Sequence, residues 1–159
     1  MTQVIPVYDS AMWREERDRL MAEWVGDESA VKFLVLFFDA CEFFDDVHDG
    51  DELEHGHFTR VLFGVLTEIP ANTFFDRWKG QLIPVMIAGI NAWLDANVLE
   101  GGGKHDRISS YALRDWYLEI VNVVIYLTRG RDVMRELSMD VRRFFTQHET
   151  LEQYMDKLS

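Results

Sequence analysis

The chain has 159 residues, with 28 acidic against 16 basic side chains and a formal net charge of −12. With 48% hydrophobic and 13% aromatic residues it carries enough apolar material for one folded core, which excludes a disordered chain. Its negative surface repels phosphates; this excludes ordinary nucleic-acid binding and points to cations or basic proteins as partners, with DNA mimicry as an extreme case.

The opening MTQVIPVYDS has no basic leader and no apolar run of signal length. Residues 1–9 are expected to be peripheral. Ser10 is a fitting N-cap for a first helix to about Trp24, broken by Gly26 and Asp27. A second helix is predicted over about Ser29–Val47, too long for a strand and without period two. Its segment Phe33–Phe38 is the longest strongly apolar run, far too short to cross a bilayer, so a cytoplasmic protein with no membrane partner is expected. Cys41, the single cysteine, excludes an internal disulfide framework and sits where a small packed thiol is expected.

HDGDELEHGH, residues 48–57, reads as a polar loop. A third helix follows over about Phe58–Glu68 and ends at Ile69-Pro70. Asn72 and Thr73 can cap the next, which Pro84 kinks or restarts before Asn97. The glycine-rich stretch 100–105 reads as a linker between helices. A long apolar helix is predicted over about Ser109–Leu127, stopped by Arg129-Gly130, then an amphipathic one over about Asp132–Gln147. A short tail from Thr150 completes the chain, with residues 150–159 expected to be peripheral. The fold expected is all-α: one domain over residues 1–159, a single bundle of five to seven helices. The 29–47 and 109–127 helices are central, because their nearly all-round apolar character demands burial.

Asp39, Glu42, Asp46 and Asp49 follow one another by three, four and three residues, which aligns them on one helix face; Asp45 adjoins them and Asp51 follows Gly50. One reading is a solvated strip. The other is a site: between Arg19 and Arg60 the only basic residue is Lys32, and carboxylates converging without a basic partner are relieved by a divalent cation. Asp45, Asp46 and Asp49 would then ligate Mg²⁺ or Mn²⁺, supported by Asp39 and Glu42, with Arg114 or Lys104 receiving a phosphate. No organic cofactor is indicated. Asp45-Asp46-Val47-His48-Asp49 also resembles the DDxxD string of the class I isoprenoid synthases, a likeness that implies magnesium ions holding a diphosphate.

Further polar residues lie on the apolar helices. Asn91, Asp95, Asn97 and Glu100 surround Trp93, while Asp115, Glu119 and Asn122 step by four and three along one face. They form either a second carboxylate-amide wall facing the acidic stripe, as bundle metal sites require, or ordinary interhelical hydrogen bonds. Asn122, deep in a Val/Ile run, needs a partner in either case. Glu52-x-x-His55 has no second ExxH, the loop histidines read as solvated, and no EF-hand, Walker loop, GxSxG or CxxC is present.

Taken in order, DDVHDGDE, LTEIPANTFFDRW, LIPVMIAGINAWLDANVLE and YALRDWYLEIVNVVIYLTRG make the chain similar to small all-helical proteins encoded by tailed bacteriophages and prophages. The resemblance covers roughly residues 30–145. It implies a phage context, host cytoplasm as the location, and shared polar features at Asp45, Asp46, Asp49 and Asp51, at Trp93, Asn97 and Glu100, and at Arg114 with Glu119. Three functions are consistent with these readings. The chain could bind a divalent metal and a phosphorylated small molecule, bind a basic host or phage protein through its acidic surface, or serve as an assembly component.

Overall fold

The computed structural model describes residues 10–159, and among these every regular element is helical. The readings of residues 1–9 lie outside the described residues. The chain divides within one helix into two compact units, Ser10–Lys79 and Gly80–Ser159.

In the first unit, α1 (Ser10–Val25) and α2 (Glu28–Asp49) are joined at Gly26, whose φ of +72° suits glycine. The Asp27 carboxylate accepts the Ala30 N–H at 2.7 Å and caps α2. The two helices run antiparallel, since Arg17 meets Asp39 while Arg14 meets Glu42. α2 extends two residues past Val47 and stops at Gly50, left-handed at φ +75°, whose N–H returns to the Asp46 carbonyl. Phe33 is fully buried and stacks on Phe37 and on Phe75. α3 (His57–Phe63) passes through a π-helical turn, Gly64–Glu68, into the single turn α4 (Ile69–Ala71). Gly64 leaves room there for Leu36, whose side chain a Cβ would meet at 3.3 Å and press aside slightly.

α5 (Thr73–Leu99) begins on a latch to α2. Asn72 accepts the Phe75 N–H at 2.8 Å through its side-chain oxygen and donates to the Ser29 carbonyl at 2.9 Å. Pro84 was expected to kink or restart this helix; α5 instead runs through it unbroken. The residue whose carbonyl loses its helical hydrogen bond to Pro84 is Gly80.

The second unit holds the rest of α5 together with α6 (Lys104–Leu113), α7 (Glu119–Arg129), α8 (Arg131–Thr146) and α9 (Leu151–Lys157). The helix expected over 109–127 is broken: α6 ends at Leu113, and a 3₁₀ turn, Trp116–Leu118, precedes α7. That turn lies against α5 at Gly89, where a Cβ would come within 3.3 Å of the Tyr117 Cα. α7 and α8 form an antiparallel hairpin about Gly130 (φ +89°, ψ 173°), with Glu119 near one end of the pair joined to Arg142. Thr150 and Gln153 form a complete capping box at the start of α9. The tail expected to be peripheral is thus anchored, for Tyr154 is buried and hydrogen-bonded to Ser110 and Glu100.

Two glycine substitutions should move stability in opposite directions. Gly130 occupies a backbone region all but reserved for glycine, so Gly130→Ala should cost about 1–3 kcal/mol. Gly80 is helical with open space where a Cβ would sit, so Gly80→Ala should gain up to about 1 kcal/mol in urea unfolding.

Candidate functional site

The acidic stripe of α2 lies beneath two arginines of α1. Arg17 is 1% exposed. Its Nη2 lies 2.9 Å from Asp18 and 3.0 Å from Asp39, and its Nη1 3.7 Å from Glu42. The guanidinium also lies over the rings of Trp13 and Phe38, at 5.5 and 5.8 Å. Arg14 bonds Glu54 at 2.7 Å and reaches to 3.9 Å from Glu42. The expectation that these carboxylates converge without a basic partner is therefore corrected. Their partners come from the preceding helix, which the turn at Gly26 folds back over them.

The remaining acids behave differently. Burial pushes the Glu42 carboxyl above its ordinary range despite the pull of Arg14 and Arg17. Asp46 is raised too, first by burial and then by Asp51 and Asp45, while His57 pulls the other way. Asp45 and Asp49 lie exposed in the last turns of α2, where the helix dipole disfavours anions. The carboxylates expected as one metal centre are thus split between the arginine-lined contact with α1 and the exposed helix end. Among the described residues, no group of three or more His, Cys, Asp and Glu is placed to hold a metal ion. His57, expected to be solvated, is buried, with its Nε2 3.2 Å from the Asp39 carbonyl and its ring edge-on to Phe43. The Cys41 thiol is packed as expected, and burial pushes its pKa up to about 12.

The residues expected to bind a phosphorylated ligand lie in the second unit. Arg114 lies 4.6 Å over Tyr154 and 5.4 Å over Tyr111. It bonds Glu149 at 2.7 Å and contacts His148 at 3.2 Å and Asp115 at 3.6 Å. Burial works against its charge, but Asp115 and Glu149 more than offset this and raise its pKa. Glu149 is held further by Lys157, and its backbone carbonyl accepts the Tyr111 hydroxyl at 2.7 Å. Glu100 accepts the Tyr154 hydroxyl at 2.8 Å, and Ser110 donates to the Ala96 carbonyl at 2.7 Å. Arg114 and Glu100 therefore tie α6 and the end of α5 to α9 rather than opening toward a ligand. Lys104 is exposed at the start of α6, and Trp93 is half-buried.

Asn122 finds the partner its burial demands: it donates to Glu119 at 3.1 Å, and Glu119 also pairs with Arg142. Its Oδ1 and the Nδ2 of Asn97 are buried without a hydrogen bond, and Asn91 donates to Asp95 at 3.1 Å. The acidic stripe belongs to the first unit and the expected carboxylate-amide wall to the second, each with partners inside its own unit. No family model, curated protein or solved structure matches the chain.

A surface not anticipated from the sequence lies on α5. Ile83, Ile87, Ile90, Leu94 and Val98 are all exposed, Ile87 to 62% and Val98 to 78%, and follow at spacings of four, three, four and four. The opposite side of the helix buries Leu82, Gly89, Ala92 and Ala96. The expectation that no segment reaches membrane-spanning length also needs correction. Continuity through Pro84 makes Thr73–Leu99, with a mean hydropathy of 1.5 over its most apolar 18 residues, long and apolar enough by those criteria alone. Only 22% of that stretch is buried. The signal was present in LIPVMIAGINAWL, a run apolar on all sides that Pro84 had seemed to divide.

Two outcomes test the electrostatics. Arg17→Met leaves Asp39 without its cation and Glu42 with Arg14 alone, and should cost about 3–5 kcal/mol in urea unfolding. Asp46 has a raised pKa in the folded state, which therefore holds its proton more tightly than the unfolded chain. Its contribution falls as pH rises through the carboxylate range. Asp46→Asn should accordingly be more stable than wild type at neutral pH, with the difference vanishing near a pH of about 3, read from urea midpoints at both.

Proposed function

We propose that this protein acts by docking another protein through the exposed apolar face of α5, as a binding or assembly component. The observation that carries the reading is the stripe from Ile83 to Val98. From Gly80 to Leu99 the helix is apolar except at Gln81, Asn91, Asp95 and Asn97, and the described chain covers the side opposite the stripe and leaves the stripe open. The stripe is contiguous along about 22 Å of helix, unlike the scattered surface leucines that need no explanation. Phe44 and Phe58, exposed on either side of Phe43 in the first unit, add a second apolar surface.

This reading takes the protein-binding alternative over the metal-and-phosphate one, because the acids and Arg114 already have ionic partners within the fold. It also moves the binding surface from the acidic face to the apolar one. A phage setting fits such a component and rests on the resemblance alone.

A photo-crosslinking amino acid in place of Ile87, with a control in place of exposed Glu152, tests this in expressing cells. Protein adducts at position 87 and none at 152 are the expected result. Lipid adducts alone, or none at either position, would rule the reading out.

A further inference from the structure

We infer that the first unit carries a second docking surface, at the junction of α2 and α3, and that its occupant is a basic amphipathic helix of another protein. The surface lies wholly within Ser10–Lys79, so the inference goes beyond the α5 reading and does not depend on it.

The apolar part is built from two rows. Phe44 and Val47 stand three apart near the end of α2, while Phe58, Leu62 and Leu66 repeat every four residues along α3 and its π-helical turn. All five are exposed, Phe44 to 52% and Phe58 to 59%. The rows meet at one ring: Phe43 is buried, its centroid 5.7 Å from that of Phe44 and 6.0 Å from that of Phe58. Exposed rings gathered about a buried one make a contiguous patch, unlike the single apolar residues that any protein surface shows.

Charge selects the occupant. From Phe44 to Thr59 the chain holds six carboxylates, Asp45, Asp46, Asp49, Asp51, Glu52 and Glu54, and no lysine or arginine. Arg14 bonds Glu54, and Asp46 is partly buried. The other four are exposed, on the turns of α2 that carry Phe44 and Val47 or on the loop that leads to Phe58. Asp45 and Asp49 also stand at the C-terminal end of α2, where the helix dipole favours a cation. A partner that covers the rings therefore gains by bringing lysine or arginine to their rim. A second copy would bring the same carboxylates to the same place, and anionic lipid or nucleic acid would bring phosphates.

The backbone sets the partner's conformation. Among the described residues every regular element is helical, so no sheet edge is open to an added strand. A segment laid on the rings must satisfy its own N–H and C=O groups, as a helix does. Its apolar side chains, at spacings of three and four, cover Phe44, Phe58 and Leu62, and its basic ones flank them.

The probe is a dye-labelled peptide of about 18 residues, leucine and lysine at amphipathic helical spacing, titrated with the full chain and read by fluorescence polarisation. Wild type should bind it with a dissociation constant on the order of 10 µM, and more weakly as salt rises from about 0.05 to about 0.5 M. Phe44→Ser/Phe58→Ser, with melting unchanged, should bind at least about thirtyfold more weakly. Asp45→Asn/Asp49→Asn/Asp51→Asn keeps the rings and should lose about tenfold, which decides the matter if the ring variant melts early. Ile87→Ser/Leu94→Ser on α5 should bind as wild type does. Absence of binding to wild type overturns the inference, as does equal binding by the ring variant or equal binding of the same leucines and lysines in scrambled order. If the α5 variant alone loses the peptide, the α5 reading stands and this one falls. If wild type sediments with phosphatidylcholine–phosphatidylserine vesicles and the ring variant does not, the rings serve lipid and the inference falls.

Discussion

The structure turns on one helix that has no polar side for most of its length. α5 is continuous from Thr73 to Leu99 and supplies residues to both compact units. Its first turns carry Phe74 and Phe75 to the stack on Phe33. Farther along, its small residues admit close neighbours. Gly89 lets the Trp116–Leu118 turn approach, and the Ala96 carbonyl receives the Ser110 hydroxyl. An apolar segment of this kind must be covered, and the neighbours it recruits decide where the helices around it begin and end. The break between α6 and α7 falls where Trp116–Leu118 packs against Gly89.

Two guanidinium clamps, Arg17 buried and Arg114 half-buried, supply the polar counterpart. Arg17 sits between two aromatic rings and bonds two carboxylates; Arg114 sits over two tyrosines and bonds Glu149. Each joins segments far apart in sequence, α1 to α2 and the end of α6 to the approach to α9. Arginine is suited to both places, since its planar cation stacks on rings while its fork bonds carboxylates.

The helical class and most helix limits were legible in the sequence because they follow from local signals. Gly26, Gly50 and Gly130 mark real stops; Asn72 and Thr150 are real caps. Where those signals misled, a tertiary contact had overruled them. Pro84 reads as a breaker, yet α5 runs through it unbroken. Arg114-Asp115 reads as mid-helix, yet the chain breaks there, beside the Arg114–Glu149 ion pair and the contact at Gly89. The candidate site was less legible for a related reason. The single-sign stripe was correctly placed on one face of α2, but a face says nothing of what lies over it. Arg17 stands 22 positions before Asp39, in a segment that reads as an ordinary charged helix, so its burial could not be read from spacing. The apolar face of α5 was hidden by the opposite error, an apparent division of one long run into two short ones.

The buried thiol of Cys41 has a practical consequence. Burial raises the pKa of this thiol and so favours its protonated form, while the thiolate is the species that reacts with alkylating reagents and disulfides. Such reagents are therefore expected to react more slowly with Cys41 than with a cysteine placed on the surface. Reaction at Cys41 itself would report the opening of the α2 helix around it, giving the first unit a built-in chemical clock for local unfolding.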